Sequence, residues 1–411
     1  MAFQPDIIVI GAGASGLAAA VSAAEYGAAV LVLEANRKPG TKLLRTGNGK
    51  CNLTNKGNSR NVYRGCHPEF ALEVLSNFTV SDTLDFFSRI GIPVIDRDGW
   101  VYPRSEEARS VLSALLRRAE QLGVRIKLGD SVIDVSKEDN GYCVATTGWK
   151  YRARRLILSF GSCASPSGSD FYSSDPDEFF GYRIAEKLGM KVMPVLPALT
   201  GIRLKENFTK EWAGVRVTAE LALIRDGREI YRERGQVQLT DYGISGIPAF
   251  ILSSYISRGK AAGTKCEISM HLLPDLSGKE LKALLASQDE ALGNAGWKEM
   301  LCGILPEKLI PAFLKGVPKQ AEADCLIRKI TDWRFTAAGT LDLSRSQVAA
   351  GGISTEGISP LTLESQKNRG LFVTGECLDI DAVCGGWNLQ FAWSSGILAG
   401  RAAAGKSLIS D

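Results

Sequence analysis

The spacing of apolar residues changes twice within the first thirty-five positions of the chain. Asp6 to Ile10 is a short, nearly continuous apolar run, as expected of a strand buried on both faces in a parallel sheet. From Ser15 to about Tyr26 the chain is Ala-rich and helical in pattern, and Gly27 stops it. Ala29 to Leu33 is a second apolar strand closing on Glu34. Strand, glycine turn, helix, strand is the opening of an α/β fold of the Rossmann type.

Further on, Pro68 to Gly91 is helical in pattern, and Ser105 with Glu106 and Glu107 marks the start of another helix. Val111, Leu112, Leu115 and Leu116 form its apolar face, and Gly123 ends it. Val124–Leu128 and Ser131–Val135 are predicted strands, followed by a hairpin of Tyr142–Thr147 with Lys150–Ser159. That hairpin leads into the buried run LILSFGSCASP, Leu156 to Pro166. Composition shifts near Pro194 and Pro197. Between Leu199 and His271 the pattern alternates with period two, with an Asp-Gly turn at Asp226 and Gly227, which predicts an inserted β-barrel-like domain. Lys279 to Leu314 is helical, with interruptions. Leu371 to Thr374 is an apolar strand again, and a final helix begins near Asn388.

The turn after the first strand carries the chemistry. Gly11, Ala12, Gly13, Ala14, Ser15 and Gly16 form G-x-G-x-x-G between a strand and a helix. Its glycines provide a tight turn, close approach of a pyrophosphate, and contact between helix and strand, while the helix N-terminus favours phosphate. Glu34, with Ala35 after it, is placed to accept the hydroxyls of an adenosine ribose. An acid there repels a 2′-phosphate, which favours FAD or NAD over NADP. The loop from Ala35 to Asn55 is rich in Gly, Asn, Lys and Arg, and follows directly on this strand. Lys42 and Arg45 supply charge for a phosphate-bearing ligand, Gly47 and Gly49 permit close backbone approach, and Asn52 is a further polar contact. Val132 is placed to meet an adenine edge through its backbone, and Gly161 is where a second sheet strand reaches the dinucleotide.

The far end of the chain supplies a complementary half-site. Gly375 follows a strand and Glu376 or Asp379 can hold ribityl hydroxyls; Gly385 and Gly386 then lead into the last helix. The positive end of that helix, at Asn388, Leu389 and Gln390, is suited to negative charge on a reduced flavin.

Bulk properties narrow the field without choosing a function. The chain has 411 residues and a formal net charge of +4, too mild to demand a nucleic-acid partner. Nine cysteines without C-x-x-C pairs and two distant histidines, His67 and His271, argue against a disulfide scaffold and against a metal site. There is no G-x-S-x-G elbow, no second G-x-G-x-x-G in a strand–helix setting, and no C-x-x-x-x-C redox pair. The first strand begins too early for a signal peptide and no stretch has the length of a membrane span, so a cytoplasmic protein is expected. Oligomeric state is not legible.

On the segments GAGASGLAAA, GNGKCNLTN, LTDYGISG, AGGIS and GECLDIDAVCGGWNLQFAWSSG, the chain resembles a family of bacterial NAD(P)/FAD-dependent oxidoreductases of the glutathione-reductase-like FAD superfamily. This family contains a 3-dehydro-bile-acid Δ4,6-reductase and a ribosomal-RNA dihydrouridine synthase. The resemblance implies an α/β fold with FAD in a split Rossmann-type domain, residues 1–193 and 336–411. It further implies an inserted β-barrel-like and helical substrate or cap domain over 194–335. NAD(P)H is the expected electron donor, and with no second nucleotide domain it must reach the flavin face directly.

The reaction this implies is reduction of a carbon–carbon double bond conjugated to a carbonyl, in an enone steroid or alternatively in a uracil ring of ribosomal RNA. The steroid is preferred because the chain shows no dense Lys/Arg cluster. A non-catalytic flavin-binding protein is the third alternative. Candidate proton donors are Cys384, Asp381, Cys51 and Tyr242, each with a structural alternative: packed thiols, a loop cap, and a barrel surface residue. Trp387 and Trp393 either line a pocket or pack the last helix, with packing the better reading.

Overall fold

The computed structural model describes residues 4–164, 173–293, 295–318 and 322–405. The chain divides into two compact units, Met1–Val195 with Val348–Asp411, and Leu196–Gln347.

The first unit is built on a five-stranded parallel sheet in the order Leu371–Val373, Arg155–Leu158, Ile7–Ile10, Val30–Glu34, Arg125–Leu128. Ile7, Ile8 and Val9 at its centre are wholly buried, which explains the unbroken apolar run in the sequence. Two helices cover the start of the sheet: Ala14–Glu25, which follows the glycine turn, and the terminal helix Trp387–Ala403. They pack backbone to backbone. A Cβ at Gly396 would lie 2.4 Å from the Ser15 carbonyl oxygen, and one at Gly400 would lie 2.3 Å from that of Ala19. Ser22 Oγ adds a hydrogen bond to the Ile397 carbonyl at 3.0 Å. A helix from the N-terminal part of the chain and one from its C-terminal part are thereby brought together.

Several expected elements are redrawn. The helical stretch 68–91 is two helices, Glu69–Asn77 and Val80–Arg89, because Thr79 and Asp82 form a capping box that starts a new helix. The helix expected from Ser105 begins instead at Ala108; Ser105 Oγ is engaged by Ser110 Oγ at 2.8 Å. The stretch 150–159 splits as well. Lys150–Ala153 pairs antiparallel with the preceding strand, while Arg155–Leu158 enters the main parallel sheet. Ser165 and Pro166, the end of the run after that strand, lie outside the described residues.

The second unit contains a closed antiparallel barrel, in the order Ile202–Leu204, Gly243–Ser245, Arg228–Thr240, Arg216–Arg225, Cys266–His271, Trp333–Thr340. Asp226 and Gly227, at φ 50° and 77°, make the tight turn of its longest hairpin, as their residue types predict. Leu221, Leu223, Val237, Leu239, Ile244, Ile268 and Met270 are completely buried. Helices Ile247–Ala261 and Gly278–Leu292 are the longest in this unit. The expected boundary at 335/336 moves to 347/348, because Trp333–Thr340 closes the barrel by pairing with both Ile202–Leu204 and Cys266–His271. Among the described residues no helix is long and apolar enough to cross a membrane.

Candidate functional site

The glycine turn is closed on one side and open on the other. A Cβ at Gly11 would lie 2.4 Å from the Ser159 carbonyl oxygen, and one at Gly16 would lie 2.0 Å from that of Gly11. These two glycines are required for packing. At Gly13 and Gly161, in contrast, an added Cβ meets nothing within 4 Å. The helix starting at Ala14 has no side-chain cap, so no side chain satisfies its first N–H groups. Glu34 is 5% exposed and its carboxylate accepts from the backbone N–H of Ala12 at 2.8 Å. It also accepts from the N–H and the side-chain amide of Asn36, each at 2.8 Å. Segment 129–130 is tied alongside, through Gly129 N–H to Asn36 and Asp130 N–H to Glu34. That contact brings Val132, at a bulge in its strand, toward the Glu34 end of the turn.

The loop after Ala35 is organised by an ion pair absent from the sequence-based expectation. Lys42 Nζ lies 2.6 Å from Glu376, and it also donates to the Ala164 carbonyl at 3.1 Å. Glu376 accepts further from Ser162 Oγ at 2.7 Å and from Ala349 N–H at 2.9 Å. Lys42 is therefore held on the Glu376 carboxylate, with its side chain 36% exposed. Arg45, Gly47 and Asn48 are exposed and Gly49 is half-buried, with Gly47, Asn48 and Gly49 at positive φ.

The C-terminal turn is braced by the residues around it. Gly386 admits no side chain, since a Cβ would lie 2.8 Å from Asn52 Oδ1 and from the Thr54 carbonyl. With its amide nitrogen toward the carbonyls of Thr54 and Val101, Asn52 accepts from Gly386 N–H at 3.3 Å. Asn52 thus holds the turn from below. Asn388 makes a reciprocal pair with the backbone of Ala382, at 2.9 and 3.0 Å. Gln390 leaves the ligand set altogether: it is fully buried, its side chain bonds Thr54, Thr83 and Ser394, and its N–H bonds Gly386 inside the helix. Asp379 is 3% exposed and accepts from Cys66 N–H at 2.9 Å, so it braces a neighbouring loop. What the terminal helix offers a ligand is its uncapped backbone at Trp387, Asn388 and Leu389. Gly375, at φ 65°, packs so closely on Ser15 that a Cβ would lie 2.5 Å from its hydroxyl, and it joins the two half-sites.

Of the four candidate proton donors, two are completely buried. Cys51 is completely buried, and burial pushes its thiol up to about 12. Asp381 is completely buried with the Arg64 guanidinium 4.0 Å away. Tyr242 lies in the second unit, over Gly201, where a Cβ would be 2.7 Å from its hydroxyl. Cys384 is half-buried beside Gly385 and keeps a position at the turn. Trp393 packs in the core, with its Nε1–H donated to the Leu53 carbonyl at 3.0 Å, and Trp387 is 4% exposed. Sequence reasoning missed Ser162, Thr54 and Asn55, whose side chains hold Glu376, Gln390 and the Gly385 carbonyl respectively. All three lie within segments that the sequence singles out, GNGKCNLTN and LILSFGSCASP, but their partners are distant in the chain, so their roles emerge only from tertiary contact.

The open side of the turn at Gly13 and Gly161, the uncapped N-termini of two helices and the buried carboxylate of Glu34 together fit a flavin dinucleotide. The protein is an FAD-dependent oxidoreductase with a Rossmann-type fold. The family model described as HI0933-like protein Rossmann domain matches residues 5–402, and the chain belongs to that family. It is 38% identical over 409 residues to the 3-dehydro-bile acid delta(4,6)-reductase of Clostridium scindens, covering 96% of this chain and 98% of the relative. It is 30% identical over 402 residues to the ribosomal RNA dihydrouridine synthase of Escherichia coli, covering 95% and 96%. A crystal structure of 3-ketosteroid-delta4-(5alpha)-dehydrogenase from Rhodococcus jostii aligns over 98% of both chains with 14% identity and a TM-score of 0.48.

Proposed function

We propose that the protein reduces a carbon–carbon double bond conjugated to a carbonyl in a 3-oxo-Δ4,6 steroid of the bile-acid type, with NAD(P)H as electron donor. The reading is carried by the 38% identity, spanning nearly the whole of both chains, to a relative named for that reaction. The mild net charge of +4 agrees with a small apolar substrate better than with a polyphosphate one. When bound, FAD supplies hydride chemistry toward the electron-poor end of such a bond.

The chain's own residues have the following roles in this reading. Gly11 to Gly16 form the pyrophosphate seat, and Glu34 takes the adenosine ribose. Lys42, Ser162 and the Ala349 N–H hold Glu376 in one orientation beside Gly375. The N–H groups at the start of the terminal helix stabilise negative charge facing them. A second reading, reduction of uridine in ribosomal RNA, rests on the 30% identity over almost the full length of the dihydrouridine synthase.

The deciding experiment is anaerobic. Protein reduced with NADH or NADPH is mixed either with a 3-oxo-Δ4,6 bile acid or with unmodified ribosomal RNA, and flavin reoxidation is followed. Fast, saturable reoxidation by the steroid is expected. Reoxidation by RNA alone, with dihydrouridine appearing, would overturn the steroid assignment in favour of the second reading.

A further inference from the structure

The strand Trp100–Pro103 is the centre of a small three-stranded sheet, paired with Thr54–Asn55 on one side and Val94–Arg97 on the other. Its side chains alternate. Val101 and Pro103 are buried, while Trp100 and Tyr102 share the opposite, half-buried face. That face lies against the turns on which the candidate site is built. A Cβ at Gly385 would come within 3.3 Å of the Trp100 indole, and one at Gly47 within 3.7 Å of the Tyr102 ring. Asn55, directly opposite Trp100 in the sheet, donates to the Gly385 carbonyl at 2.8 Å and locks the sheet to the turn. Among the described residues neither the Tyr102 hydroxyl nor the Trp100 indole N–H has a hydrogen-bond partner.

We infer that Trp100 and Tyr102 form the aromatic wall of the substrate site, with the Tyr102 hydroxyl donating a hydrogen bond to the carbonyl oxygen of the conjugated substrate. This deepens, and rests on, the reading given under the proposed function. A flat conjugated ring system gains contact area on two aromatic side chains that are half-buried beforehand. A hydrogen bond to the carbonyl draws electron density from the double bond, and it strengthens as negative charge builds on that oxygen. Burial raises the Tyr102 phenol above its ordinary value, so it stays protonated and able to donate. The same donor suits a steroid 3-oxo group and a uracil carbonyl, since both are carbonyls conjugated to the reducible bond.

Two measurements test this, and one needs no substrate. The first is the flavin fluorescence lifetime of the FAD-bound protein. An indole or phenol close to a flavin quenches it, so Trp100→Phe together with Tyr102→Phe is expected to lengthen the lifetime. An unchanged lifetime at equal FAD content overturns the placement of the wall. The second compares steroids carrying a 3-oxo or a 3-hydroxy group, by perturbation of the flavin absorption spectrum. The native protein is expected to prefer the ketone by about tenfold, and Tyr102→Phe to lose that preference with FAD content unchanged. A Tyr102→Phe protein that keeps the preference overturns the hydrogen bond. A native protein that binds neither steroid but shows the lifetime effect removes the steroid reading and leaves the wall in place.

Discussion

The ammonium group of Lys42 lies 2.6 Å from the carboxylate of Glu376, joining the loop after the second strand to the segment after the last strand of the same sheet. The side chains are 36% and 19% exposed, so the pair is neither a free surface ion pair nor a deeply buried one. It orients the carboxylate that the site reading places at the ribityl chain.

Replacing Lys42 by Met removes that orientation and leaves Ser162 and the Ala349 N–H on Glu376. Partial exposure discounts the stability cost to about 1 kcal/mol. FAD affinity is expected to fall by about tenfold, with Lys42→Arg recovering most of it. Fluorescence titration of the apoprotein with FAD checks this; equal affinity in Lys42→Met would show that the pair has no part in holding the cofactor.

Gly396→Ala places a methyl group 2.4 Å from the Ser15 carbonyl oxygen, which is backbone and cannot step aside alone. Overpacking of about 3 kcal/mol, less about 1 kcal/mol from better helix propensity, leaves a net loss of about 2 kcal/mol. Urea unfolding measures the loss. Release of FAD at lower urea than global unfolding is expected as well, because the helix it displaces is the one proposed to hold the C-terminal half of the cofactor site.

Cys51→Ala is expected to leave turnover and FAD content unchanged. The thiol is buried, held neutral and packed in a loop where the residue has φ 58°. Stopped-flow flavin reoxidation is the readout, and loss of turnover at full FAD content would restore Cys51 as a chemical participant.

His271 sits in the barrel opposite Glu220, and burial pulls its imidazole below the ordinary value of 6.5. The unfolded chain then binds more protons than the folded one in the interval just below pH 6.5. Stability is full above the ordinary value and declines as pH falls through that interval to the folded-state value. The urea midpoint measured from pH 8 to 5.5 is expected to drop on its acid side, and His271→Gln to flatten that limb. An unaltered limb in the variant would assign the acid sensitivity to other groups.

The sequence by itself determined the elements whose cause is local. Ile7 to Ile10, the glycines at 11, 13 and 16, and Glu34 follow one another closely, so turn geometry and helix-terminus chemistry could be read from spacing alone. The Asp226–Gly227 hairpin was legible for the same reason, since it needs only two residues able to take positive φ. The tertiary structure decided whatever depends on partners distant in the chain. Lys42 pairs with Glu376 across 334 positions, Gln390 is taken out of the site by Thr54 and Thr83, and Trp333–Thr340 belongs to the barrel because its two neighbouring strands lie there. A side chain's chemistry is a property of its residue type. Whether it is spent on the fold or left for a ligand depends on which other charges and hydrogen-bonding groups the packing brings within about 3 Å of it.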